Sequence, residues 1–231
     1  KNNKDNDIIL LGDSFAEGYG VNLENTSQKY IEKLTNRNVL NFGVSRNFGP
    51  VQYSVIYERL AKDFEHKTII VYLLPDNDFG ENDYSNWLGS KRYRPYYKFI
   101  DDNSYEIFIP KESIKNYKSN TKKLKKILKD YLWTSNLFIN IDYKYKIYRS
   151  YKKKSFDDFS AYFDSSEEQQ KAVVYFLDKI INSGKSNVIL VSIPRPNDYE
   201  RLKNGSDLTT IYWNKYFVNK DSANPNFKFV D

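Results

Sequence analysis

A chain of 231 residues is long enough for one large α/β domain, or one domain carrying a sizeable insertion, and is short for two independent ones. Apolar residues make up 40% and charged residues 29%, with no apolar run near the ~18 residues a membrane-spanning helix needs. Cysteine is absent and histidine occurs once, which excludes a disulfide framework, a thiolate metal site and the paired-histidine spacing of zinc enzymes.

The net charge of +6 conceals a division. Between Lys91 and Lys154 there are 18 Lys/Arg against 6 Asp/Glu, and the remainder of the chain is net acidic. The opening KNNKDND shows no signal peptide; the compartment stays open, an extracytoplasmic one fitting if an upstream signal or anchor has been removed.

Ile8 to Leu11 is a continuous apolar run closed at once by Gly12-Asp13-Ser14, the pattern of a buried parallel strand with a serine at its carboxyl end. Ligands of open parallel sheets bind at that edge, so Ser14 is a candidate nucleophile. Gly, Asp and Ser are also common turn and N-cap residues, and a lone Gly-Asp-Ser is as readily structural. The GxSxG elbow of α/β-hydrolases is absent, since Ala16 stands where its second glycine would be.

A helix is expected over Asn22 to Asn36, with Tyr30, Ile31 and Leu34 on one face and Thr26 or Ser27 as cap. A second strand, Val39 to Phe42, ends in Gly43. Pro50 suits a first helical turn, and Val55, Ile56, Leu60 and Phe64 mark a buried stripe over Val51 to Phe64. Thr68 to Leu74 reads as a third buried strand, stopped by Pro75-Asp76-Asn77-Asp78-Phe79. Strands alternating with helices imply right-handed crossovers and a parallel sheet, with Ser14, Gly43 and Asn77 on one edge.

From Gly80 to about Ser160 that rhythm lapses into an insertion rich in Tyr, Lys and Asn. A hairpin is suggested over Tyr96 to Ile109, a lysine-coated helix over Thr121 to Leu132 and another over Asn136 to Tyr151. Ser165 and Ser166 then open a helix carrying Val173, Phe176, Leu177, Ile180 and Ile181 and ending at Gly184. A strand over Asn187 to Ile193, a helix near Leu208 to Val218 and a strand over Phe227 to Val230 follow. The fold expected is a single three-layer α/β domain over residues 1–231, flavodoxin-like, with five parallel strands in the order 2-1-3-4-5 and an insertion over 80–160 between the third and fourth.

With Gly12-Asp13-Ser14 after the first strand, Gly43 after the second and Asn77-Asp78 after the third, the chain resembles the SGNH hydrolases, the GDSL esterase/lipase family. The resemblance implies Ser14 as nucleophile, and the Ser14 and Gly43 backbone N–H groups with the Asn77 side-chain amide as oxyanion hole. Preorganised donors of this kind are worth about 3 kcal/mol each when a carbonyl oxygen takes up charge. Gly43 and Asn77 also suit plain turns. Asp13 and Asp78 read as loop-fixing hydrogen-bond acceptors.

The family's Asp-x-x-His block, which supplies general base and orienting acid, has no match here. His66 precedes the third strand, which sets it at the opposite edge, roughly 20 Å from Ser14. Either a segment past Asp231 carries that block, the favoured expectation, or the cleft binds without turning over; Asp231 itself is not assigned to a triad. The expected function is acyl-ester hydrolysis or acyl transfer, with acetylated carbohydrate as the favoured substrate and no metal or cofactor. The alternative is an inactive module holding an anionic glycan.

The segment Lys91 to Lys154 also holds 10 of the 21 tyrosines. Rings beside cations suit sugar faces or an anionic polymer or surface, and the insertion is expected to act as a substrate-selecting lid. A solvated lysine face is the plain alternative. Arg46 and Arg195 are weaker candidates for substrate contact, and nucleic acid is not expected as the partner, for want of a recognised module.

Overall fold

The structure is a computed structural model and describes residues 7–45, 48–84, 94–101, 104–110, 141, 144–145, 160–184 and 186–231. The chain divides into two compact units, Lys1–Ile109 with Phe159–Asp231, and Pro110–Asp158. The helix expected over Thr121 to Leu132 lies outside the described residues, as does nearly all of that over Asn136 to Tyr151, and with them most of the basic segment.

In the first unit the parallel sheet is formed by β1 (Ile8–Leu11), β2 (Val39–Asn41), β3 (Thr68–Leu73), β6 (Asn187–Ser192) and β7 (Phe227–Val230). Their spatial order is β2-β1-β3-β6-β7, every neighbouring pair parallel. Counting the sheet strands alone this is 2-1-3-4-5, the doubly wound order expected. The rule behind it is steric: a right-twisted strand feeding a helix packs back on the sheet with one hand only. Between β3 and β6 the chain makes an antiparallel hairpin of β4 (Tyr96–Asp101) and β5 (Ser104–Phe108).

Side-chain alternation divides the core in two. Ile9, Leu11, Ile69, Val71, Leu73, Val188, Leu190, Phe227 and Phe229 point to one face. There they meet α3 (Pro50–Arg59), α6 (Glu167–Ile181) and α8 (Tyr212–Ala223) through Tyr53, Val173, Leu177, Trp213 and Phe217. Ile8, Leu10 and Val39 take the other face with Ala16 of α1 (Ser14–Glu17), and Ile31 of α2 (Ser27–Thr35) packs against them.

Four helices differ from expectation. α2 buries none of its residues, and Tyr30 and Leu34 stand in solvent at 53% and 83% exposure. It flanks the edge strand β2, where one contact line through Ile31 is all the sheet offers. On α3 the buried side is Val51, Gln52, Tyr53, Ser54 and Tyr57, while Leu60 and Phe64 are about half exposed. Tyrosine wins there because its ring fills the core while its hydroxyl finds a polar partner, Tyr53 the buried Asp78 and Tyr57 the His66 ring. The Pro75 segment begins α4 (Pro75–Glu81) directly, Pro75 serving as the first helical residue. Past β6, Pro196 likewise opens α7 (Pro196–Lys203), a helix the sequence reading does not include. A short α5 (Ala161–Asp164) precedes α6, whose N-cap is Ser166 with Gln169 completing a capping box.

Candidate active site

Strand β1, between β2 and β3, ends in a turn that only glycine permits. Gly12 has φ +153°, and a Cβ there would lie 2.8 Å from Ala16 Cβ and 3.0 Å from Tyr72 Cβ. Asp13 is buried and caps α1, its Oδ1 accepting the Phe15 N–H at 2.9 Å. Ser14 is then the first residue of α1, half-exposed, and its hydroxyl hydrogen-bonds none of the described residues. Its N–H belongs to the first turn, where no intrahelical acceptor exists.

The loop after β2 is tied to that turn residue by residue. Asn41 Nδ2 donates to the Ala16 carbonyl at 2.7 Å and to Gln28 Oε1 at 3.2 Å. The Val44 N–H donates to the Gly12 carbonyl at 3.0 Å and the Ser45 N–H to Glu17 Oε2 at 2.6 Å. Gly43 lies so close to α1 that a Cβ would stand 2.3 Å from the Glu17 nitrogen. Its N–H donates to Asn41 Oδ1 at 2.8 Å. This changes the expectation for Gly43: its amide is engaged within its own loop, and the need for glycine is the approach to α1.

Asn77 sits in the first turn of α4. Its Nδ2 faces Asp13 Oδ2 at 3.5 Å, at the outer limit of a hydrogen bond, so the residue after β3 and the turn holding Ser14 share Asp13. A carboxamide has two N–H donors, and the second has no acceptor among the described residues. Burial raises the Asp13 carboxyl above its ordinary pKa, opposed by the Phe15 N–H and the Asn77 amide. Asp78 is fully buried; its Oδ2 accepts the Leu74 N–H at 2.8 Å and its Oδ1 lies 3.0 Å from Tyr53 Oη.

Arg195 precedes α7 and forms an ion pair with Asp76 of α4, so it is no unpaired cation at the edge; its own N–H donates to Asp198 Oδ2 at 2.6 Å. Burial lowers its guanidinium pKa. Arg46 lies outside the described residues. His66 is at the amino edge as expected, its ring between the Phe64 carbonyl at 2.7 Å and Tyr57 Oη at 3.2 Å. Asp231, just past β7, takes the Tyr162 hydroxyl on one oxygen and Asn214 Nδ2 at 2.9 Å on the other. Among the described residues no cluster of His, Asp and Glu is arranged to hold a metal ion.

Asn41 and Tyr53 went unread in the sequence. The available signal for Asn41 is a carboxamide at the end of an otherwise apolar strand, two residues before a glycine; for Tyr53 there is none beyond its place in the helix expected over Val51 to Phe64.

The fold and these three carboxyl-edge turns define a doubly wound α/β protein with a serine at the end of its first strand. Solved structures similar to it include a G-D-S-L family protein described as lipolytic, from Desulfitobacterium hafniense DCB-2. That match has 11% identity, covers 96% of this chain and 75% of the other, and has a TM-score of 0.43. Another is AlinE4, an SGNH-hydrolase family esterase, with 12% identity, 100% and 77% coverage and a TM-score of 0.45. No family model and no curated protein sequence matches the chain. At such identities activity is a matter for the residues themselves, and the fold rests on the strand order.

Proposed function

We propose that this chain supplies the nucleophile and oxyanion donors of an acyl-ester hydrolase or acyltransferase acting through a Ser14 acyl-enzyme. The observation that carries the reading is that the turn holding Ser14, whose hydroxyl is bound to no described residue, is tied to the Asn77 carboxamide through the Asp13 carboxylate, which also accepts the Phe15 N–H. Attack of Ser14 Oγ on an ester carbonyl creates an alkoxide. The Ser14 N–H and the second Asn77 N–H are the donors this reading assigns to it. The Gly43 N–H can join only by leaving Asn41. Acetylated carbohydrate remains the substrate class favoured.

Serine also needs a base, and His66, turned to Phe64 and Tyr57, is not it. The engaged Gly43 amide favours the second reading, a cleft that holds an anionic glycan without turnover. The test is hydrolysis of p-nitrophenyl acetate by the full-length gene product against its Ser14→Ala variant. A rate that collapses with Ser14→Ala supports the enzyme; equal rates remove Ser14 from the chemistry and leave the binding role.

A further inference from the structure

Tyr53 carries one hydroxyl hydrogen and faces two acceptors. Its Oη lies 3.0 Å from the Phe48 carbonyl oxygen and 3.0 Å from Asp78 Oδ1, where α3, α4 and the loop that leads into α3 meet; Tyr53 and Asp78 are fully buried and Phe48 partly so. With Asp78 ionised, one of these contacts has no proton in it. A buried acceptor without a donor is a costly arrangement, and one proton on the carboxyl removes it: Asp78 Oδ1–H donates to Tyr53 Oη, and Tyr53 Oη–H donates to the Phe48 carbonyl.

We infer that Asp78 is held in the folded protein as the neutral carboxylic acid, and that through Tyr53 it fastens the Phe48 carbonyl, just past the Gly43 loop, to the turn that carries Asn77. Asp78 is thereby a positioning residue that donates as well as accepts. Its Oδ2 still accepts the Leu74 N–H at 2.8 Å, as a neutral acid can.

The surroundings favour the proton. Asp78 has no exposed surface. Among the described residues the charged groups acting on it are acidic, Asp13 from the β1–α1 turn and Glu81 from α4, and Tyr53 is the titratable group facing it from α3. Burial and the Asp13 charge push the Asp78 carboxyl well above the ordinary carboxylate range, against the Leu74 N–H. Tyr53 stays protonated, its own pKa raised by burial. The Gly49 N–H is held separately by Gln52 Oε1 at 2.7 Å, so the Phe48 carbonyl alone depends on this relay.

The sign of the linkage follows. A carboxyl with a raised folded pKa binds more protons folded than unfolded, so its stabilisation is complete below the ordinary carboxyl pKa and is lost as pH rises through the folded value. The experiment reads no turnover and stands apart from the acyl-ester reading. The side-chain carboxyl carbon of Asp78, assigned through the backbone in the 13C-labelled protein, is followed by NMR from about pH 4 to about pH 9. The expected result is the acid-form shift at neutral pH; a carboxylate shift there overturns the inference. The Gly49 amide, which shares its peptide group with the Phe48 carbonyl, should titrate with the Asp78 midpoint in the wild type and lose that titration in Asp78→Asn. A Gly49 amide indifferent to Asp78 overturns the fastening. Asp78→Asn, whose amide can donate to Tyr53 and accept from Leu74, should keep the neutral-pH urea midpoint, and a marked loss there counts against a neutral acid.

Discussion

Replacing Gly43 by alanine tests the close approach between the second loop and the Ser14 turn. The added Cβ would stand 2.3 Å from the Glu17 nitrogen, 2.6 Å from the Ala16 carbonyl carbon and 2.8 Å from Ala16 Cβ, where ordinary contact begins near 3.4 Å. Two of those atoms are backbone, so no rotamer relieves the clash, and the loop and α1 must separate by about 1 Å. That motion strains the links from Asn41 to Ala16, Val44 to Gly12 and Ser45 to Glu17. Overpacking of this kind costs about 2 kcal/mol, which for a domain of this size lowers Tm by about 4–8 °C. If the proposed chemistry holds, a displacement of about 1 Å at the nucleophile also lowers kcat/KM by about 100-fold. Differential scanning calorimetry and p-nitrophenyl acetate turnover read the two effects. A Gly43→Ala protein melting within about 1 °C of wild type would show that this approach is not a tight one.

Other substitutions separate chemistry from support. Asn77→Ala should lower kcat by about 100- to 1,000-fold with circular dichroism melting nearly unchanged, and a kcat within about threefold of wild type removes the amide from the oxyanion site. His66→Ala, at the far edge of the sheet, should leave ester turnover within about twofold while costing about 1 kcal/mol in urea denaturation through the lost Tyr57 contact. Trp213→Ala should cost about 3–5 kcal/mol in the same assay. The indole is fully buried, packs on Tyr162 at 5.1 Å and Phe79 at 5.6 Å, and donates to the Tyr162 carbonyl at 3.1 Å.

Strands announce themselves in two ways here: Ile8 to Leu11 is a short, fully buried apolar run, and Phe227 to Val230 alternates buried Phe227 and Phe229 with exposed Lys228 and Val230, each closed by turn residues. Helix faces were harder. The aliphatic stripe Val55, Ile56, Leu60 and Phe64 pointed to one side of α3, yet the core takes Tyr53 and Tyr57, whose hydroxyls reach partners far away in sequence. A periodicity count has no access to such partners. The same limit applies at the site: Ser14 and Asn77 are legible from their places after β1 and β3, whereas the engagement of the Gly43 amide depends on which way Asn41 turns. Arg195 looked like a cation available to substrate because Asp76, its partner, lies in the first turn of α4, far away in sequence.

The two sides of the sheet are unequally anchored. Beneath α3, α6 and α8 lies a dense array of aromatic and branched side chains, whereas α1 buries only Ala16 and α2 buries nothing. Excursions that uncover the Ser14 turn therefore forfeit little apolar contact, and they should occur at lower free energy than any that disturb the aromatic side. A ligand entering beside Ser14 would meet the part of the molecule that yields most readily, held in register by a handful of polar ties from β2 while the opposite layer stays closed.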